Sequence, residues 1–195
     1  MRYVVYNRRG CEVCRDIMPR LNDDVPGYRL LMLFDKDDIL FEIQHLAAAQ
    51  GDAARIKDDA TGALLEQFKN VCAEDNVDRP LRTIPLAMSK CERMLHPWSG
   101  RVVGKHSSIK NDIDEKRELA IELNVEEHFT SELAWALMRN IQEYIEVYVL
   151  DDWAGVTYPE GRAYWTERMA AIEVEIKKMV TYMDDDCCAH IRPYW

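Results

Sequence analysis

The chain has 195 residues, 48% hydrophobic and 31% charged, with only 8 Gly and 7 Pro. This composition excludes disordered, collagen-like and low-complexity classes and supplies enough apolar material for a real core. The 25 Lys+Arg against 35 Asp+Glu leave a formal charge of −10, the wrong sign for a general DNA or RNA binder.

Taken in chain order, Tyr3-Val4-Val5-Tyr6 is a β-branched and aromatic run that predicts a strand. Arg8-Arg9-Gly10 breaks it, and Cys11 to Leu21 reads as a short helix. Pro26-Gly27 makes a turn before a second apolar run, Tyr28 to Phe34, short enough for a buried strand. Asp38 suits the cap of a helix with Ile39, Ile43 and Leu46 on one face. After a polar stretch from Gly51 to Thr61, Leu64, Leu65, Phe68, Val71 and Cys72 mark another amphipathic segment. Thr83-Ile84-Pro85-Leu86-Ala87-Met88 then predicts a third strand beginning at a proline. Pro97, Gly100 and Gly104 imply turns around a short strand at Arg101-Val102-Val103.

From about Asp114 the pattern turns helical. Leu133, Leu137, Ile141, Tyr144, Ile145 and Tyr148 form one apolar stripe, with Ser131 as its expected N-cap. Trp165, Met169, Ile172, Ile176, Met179 and Met183 form a second, with Pro159 in the first turn of that helix. Joined around Asp151 to Tyr158, the two predict an antiparallel helical hairpin. The change in periodicity divides the chain into residues 1–112, mixed α/β, and residues 113–195, all-helical. The longest apolar run, Leu133 to Met138, is far short of the ~18 residues of a membrane span, and the N-terminus lacks a signal-peptide pattern. A soluble, cytoplasmic protein with reduced thiols is expected.

The chemistry-bearing motif is Cys11-Glu12-Val13-Cys14, at the junction between a predicted strand and a predicted helix. A thiol there meets unsatisfied backbone N–H groups and the positive end of the helix dipole, which favour thiolate, and Arg8, Arg9 and Arg15 add positive charge. Cys11 is the expected nucleophile and Cys14 the resolving thiol. Cys-x-x-Cys is also half of a zinc site, with Cys187, Cys188 and His190 offering the other half without regular spacing. Inert thiols are the third reading. Cys72 and Cys91 stand alone and are expected as small buried apolar residues. Asp184-Asp185-Asp186 reads as an exposed acidic helix end. No Walker, Gly-x-Gly-x-x-Gly, Gly-x-Ser-x-Gly or His-Glu-x-x-His motif occurs.

The run from Val4 to Cys14 resembles the active-site segment of glutaredoxins, where a strand ends in Tyr, a basic residue follows, and Gly precedes Cys-x-x-Cys. Thr83-Ile84-Pro85 is similar to the Thr-Val-Pro segment of that family. The resemblance implies a thioredoxin-like α/β fold for residues 1–112, with an inserted helix to span the 74 positions from Cys11 to Pro85. It further implies that Pro85 is cis and shapes the substrate groove. Tyr6, Arg8, Thr83 and the backbone of Ile84 would bind glutathione or a disulfide-containing protein. The following helical part resembles the two-domain layout of glutathione transferases.

Three functions remain open on the sequence. The first is a glutaredoxin-like thiol–disulfide oxidoreductase that requires no cofactor and could use glutathione. The second is a non-catalytic acidic interaction protein (a phage or viral accessory, inhibitor or assembly factor) that binds a protein partner through its helical part. The third is an adaptor stapled by zinc at Cys11, Cys14, Cys187 and His190. None of the three involves direct contact with nucleic acid or a membrane.

Overall fold

The structure, a computed structural model, describes residues 2–6, 28–55, 62–95, 118–125 and 130–181. Its elements in order are β1 (Arg2–Tyr6), β2 (Tyr28–Asp35), α1 (Lys36–Arg55), α2 (Gly62–Lys69), α3 (Asp78–Leu95), β3 (Glu118–Val125), α4 (Ser131–Thr157), a 3-10 turn (Pro159–Gly161) and α5 (Arg162–Thr181). The described part is mostly helical, with a three-stranded antiparallel sheet in the order β1-β2-β3. Tyr3 pairs with Met32, and Met32 in turn with Ile121.

Among the described residues, one face of β2 and β3 is buried. Leu30, Met32 and Phe34 alternate along β2 into the core, joined from β3 by Ile121 and Leu123, while Leu31 and Leu33 between them remain half-buried. That period of two is what a sheet covered by helices on one side demands. Strand β2 passes into α1 without a connecting residue, and the Asp35 carboxylate accepts the Asp37 N–H at 2.8 Å. The helix therefore starts ahead of the cap expected at Asp38.

Helix α4 is the centre of the molecule, packed by α1, α2, α3, α5 and β2. From Ile141 to Ala154 only Glu143, Tyr148 and Asp152 are less than fully buried. A helix that is apolar on nearly every side is one that others surround, and one continuous core runs from Leu30 to Val180. Its N-cap is Thr130, whose hydroxyl accepts the Leu133 N–H at 3.3 Å, one position before the expected Ser131. The helix continues to Thr157, so the joint with α5 is Tyr158 to Gly161 rather than Asp151 to Tyr158. Gly161 has no alternative there, because a Cβ would run into the Tyr158 ring. The antiparallel hairpin of α4 and α5 is present, with Trp165, Ile172 and Ile176 buried between them and the rest of the core.

The thioredoxin-like α/β expectation is overturned. Residues 83–88 form no strand. They lie inside α3, where Pro80, Thr83, Ile84, Ala87, Met88, Cys91 and Leu95 recur at helical spacing on the buried face. Pro80 falls in the first turn, where a missing N–H is harmless. Pro85 sits within the helix, a placement that removes one backbone bond at roughly 3 kcal/mol. A helix between β1 and β2, as in a β-α-β unit, calls for a parallel pair, and these two strands are antiparallel. Residues 118–125, expected to be helical, are a strand. The expected helix at Cys11 to Leu21 and the strand at Arg101 to Val103 lie outside the described residues.

Candidate functional site

The turn between α2 and α3 is held from α1. The Gln44 side-chain amide donates to the Lys69 carbonyl at 2.6 Å and its oxygen accepts the Cys72 N–H at 3.1 Å. The Cys72 thiol donates to the Leu40 carbonyl at 3.4 Å. Beyond that staple, Asn76 N–H bonds to the Ala73 carbonyl at 2.8 Å, and α3 begins at Asp78.

This turn, the start of α3 and the last turns of α4 enclose an open cleft of about 530 Å³, lined by Asp75, Asn76, Asp78, Arg79, Arg82, Thr83, Asp152 and Trp153. Arg79 Nε donates to Asp152 Oδ2 at 2.8 Å across the cleft, and its Nη2 reaches the Asp152 carbonyl at 3.4 Å. The hydrogen bond to Asp152 raises the Arg79 pKa further. The Thr83 hydroxyl is turned back onto the Arg79 carbonyl at 2.9 Å. Trp153 is locked by its indole N–H on the Phe68 carbonyl at 3.0 Å. With Arg79 and Asp152 engaged to each other, the lining leaves Asp75 and Asp78 against Arg82, none of which forms an ion pair with another described residue.

The other polar groups face inward. Glu146 is 6% exposed and accepts the Gln142 side-chain N–H at 2.8 Å. Burial, followed by the nearby Glu42 and Glu143 carboxylates, pushes its carboxyl up to about 7, against the hydrogen bond from Gln142 and the charge of Arg168. Asp151, five positions on, accepts from Arg162 Nη2 at 3.1 Å and from the Thr166 hydroxyl at 2.6 Å. Tyr144 donates to Glu173 at 3.1 Å.

Cys72 and Cys91 are free thiols with the packing roles expected of them. Burial raises Cys72 to about 11 and drives Cys91 higher, so neither is a thiolate near neutrality. Of the residues implied by the glutaredoxin resemblance, Tyr6 ends β1, Thr83 and Ile84 are buried on α3, and Pro85 is inside the same helix. Of these described residues, Thr83 alone lines the cleft. Arg8, Cys11, Cys14, Cys187, Cys188 and His190 lie outside the described residues. Among the described residues, no group of three or more His, Cys, Asp or Glu is placed to hold a metal ion. No helix among them is long and apolar enough to cross a membrane.

Apart from Thr83, the cleft residues are absent from the sequence-based candidates. Asp75-Asn76-Val77-Asp78-Arg79-Pro80 carries a usable signal, turn formers followed by an acidic residue and a first-turn proline, which together mark a helix start. Asp152 becomes legible once the i, i+4 series Ile145, Val149, Trp153 carries α4 past Asp151. No family model, curated protein or solved structure matches the chain.

Proposed function

We propose that this chain is a non-catalytic acidic interaction protein that receives a basic side chain of a protein partner in the cleft at the start of α3. The observation that carries this reading is the cleft itself, where Asp75 and Asp78 outnumber Arg82 at the rim while Trp153 and the Arg79–Asp152 pair form a fixed floor. The net charge of −10 steers a basic partner toward such a site. The described thiols, Cys72 in the turn before α3 and Cys91 within it, are packing groups, and residues 83–88 are helix rather than the strand of a thioredoxin-like frame. Arg82 acts as a gate, admitting a cationic group only where the partner also brings an acceptor for its guanidinium.

The test is binding of an arginine-rich peptide, followed by fluorescence anisotropy at low and high salt. The wild-type chain binds and weakens with added salt. Asp75→Lys with Asp78→Lys loses about tenfold or more in affinity, Arg82→Ala gains severalfold, and Cys11→Ser with Cys14→Ser changes nothing. Turnover of a disulfide substrate by the wild type that disappears in Cys11→Ser would replace this reading with the oxidoreductase one.

A further inference from the structure

Helix α3 buries one face and leaves the other bare. On the bare face, Asp78, Arg82, Leu86, Ser89 and Arg93 are all exposed and spaced by four, four, three and four, with Lys90 beside Ser89. Residues at that spacing stay on one side of a helix, and the row runs for about 22 Å from the cleft to the last turn. Leu86, at its middle, keeps 59% of its surface. Charge is sorted along the row. Asp78, with Asp75 just ahead of the helix, makes one end acidic, and Lys90 and Arg93 make the other basic. None of its three cations forms an ion pair with a described residue. Lys90 lies 4.4 Å over the Tyr148 ring, and Arg93 Nε donates to the Ser89 carbonyl at 3.3 Å.

Such a face selects its occupant by charge. A second copy of this chain does not fit. Antiparallel pairing about Leu86 sets Arg82 of one copy against Lys90 of the other, and parallel pairing sets every charge against itself. A complementary helix instead brings a basic residue to the cleft, a carboxylate to Arg82, an apolar residue to Leu86 and carboxylates to Lys90 and Arg93. The helix dipole sets its direction. Carboxylates stabilise a helix at its N-terminus and cations at its C-terminus, so the complementary helix starts at Arg93 and ends at the cleft. We propose that the partner segment whose basic side chain enters the cleft is an amphipathic helix, acidic at its N-terminus and basic at its C-terminus, laid antiparallel along the exposed face of α3 with an apolar residue on Leu86. The proposal rests on the cleft as the seat of a basic side chain and adds the partner's secondary structure, its order of charges and its direction. It also gives Arg82 the acceptor that its place at the rim demands.

Fluorescence anisotropy of the full chain with two end-capped, alanine-based peptides tests this. The first peptide carries Glu, Glu, Leu, Glu and Arg in that order from its N-terminus, on one face and at the spacing of the α3 row. The second carries arginines and no carboxylate. The first binds with a Kd of about tens of micromolar, as suits a small transient contact. Leu86→Gln weakens it about tenfold, leaves the second peptide unchanged, and preserves the circular dichroism spectrum, the site being exposed. Arg82→Ala weakens the first peptide severalfold while strengthening the second. Arg93→Glu also weakens the first severalfold, and a lysine in place of that peptide's first glutamate restores the loss. The same face written in reverse order binds severalfold more weakly. A first peptide indifferent to Leu86→Gln and Arg93→Glu, or a reversed one that binds as well, overturns the proposal. The cleft reading survives that result if the arginine peptide still responds to Asp75→Lys with Asp78→Lys, and indifference of both peptides to that pair removes the two together. A wild type that sediments as a dimer dissolved by Leu86→Gln also overturns the proposal, the occupant then being a second copy.

Discussion

Glu146 and Asp151 lie little more than a turn apart on α4, at 6% and 8% exposure, and their surroundings are opposite. Asp151 is met by a guanidinium and a hydroxyl from α5 in charge-assisted hydrogen bonds. Glu146 has one amide donor from its own helix and two more carboxylates nearby. Burial penalises a charge wherever it falls, and what differs is that α5 hydrogen-bonds the Asp151 carboxylate directly, whereas at Glu146 it contributes only the through-space charge of Arg168. Asp151 thus fastens α5 to α4, whereas Glu146 is tolerated in its protonated form.

The largest effect that separates the two is expected at Asp151. Asp151→Ala removes the bonds from Arg162 and Thr166 and lowers unfolding free energy by about 3 kcal/mol in urea titrations at pH 7. Glu146→Gln has the opposite sign. The folded carboxyl titrates near 7 against 4.5 for an ordinary one, so between those values the folded chain holds a proton that the unfolded chain has released. Stability linked to Glu146 is complete below about pH 4.5 and is lost as pH rises through 7. The glutamine keeps an acceptor for Gln142 without the charge. It therefore raises stability by about 2 kcal/mol at pH 8, with little change at pH 4. A Tm against pH profile that stays parallel to the wild type contradicts this account of Glu146. The smallest effect is at Thr130→Ala, where loss of the N-cap bond lowers stability by about 1 kcal/mol and leaves the contrast between the two carboxyls intact.

Segments with one dominant period were legible from sequence. The short apolar run of β2, bounded by Pro26-Gly27 and Asp35, and the i, i+4 stripes of α1, α4 and α5 each allowed one conformation, and these elements appear close to where expected. Two segments reversed because local preference and burial pattern disagreed. Thr83-Ile84-Pro85 has strand-favouring residues and a proline, yet the neighbours that bury it, Pro80, Ala87, Met88 and Cys91, repeat at helical spacing. Glu118 to Val125 is rich in Glu, Leu and Ala, all helix formers or strand-poor, yet Leu119, Ile121, Leu123 and Val125 alternate, and β2 offers them an edge to pair with. In both cases tertiary burial overrode intrinsic propensity. The cleft was harder to see, because its residues come from a turn, a helix start and a distant helix end that only the packing of α3 on α4 brings together.

The seamless passage from β2 into α1 makes the Gln44 amide a mechanical link. The strand and helix run on without a break, and Gln44 ties them to the turn that bears Asp75 and leads into α3. Separating the sheet from that turn would therefore require breaking both hydrogen bonds of the Gln44 amide.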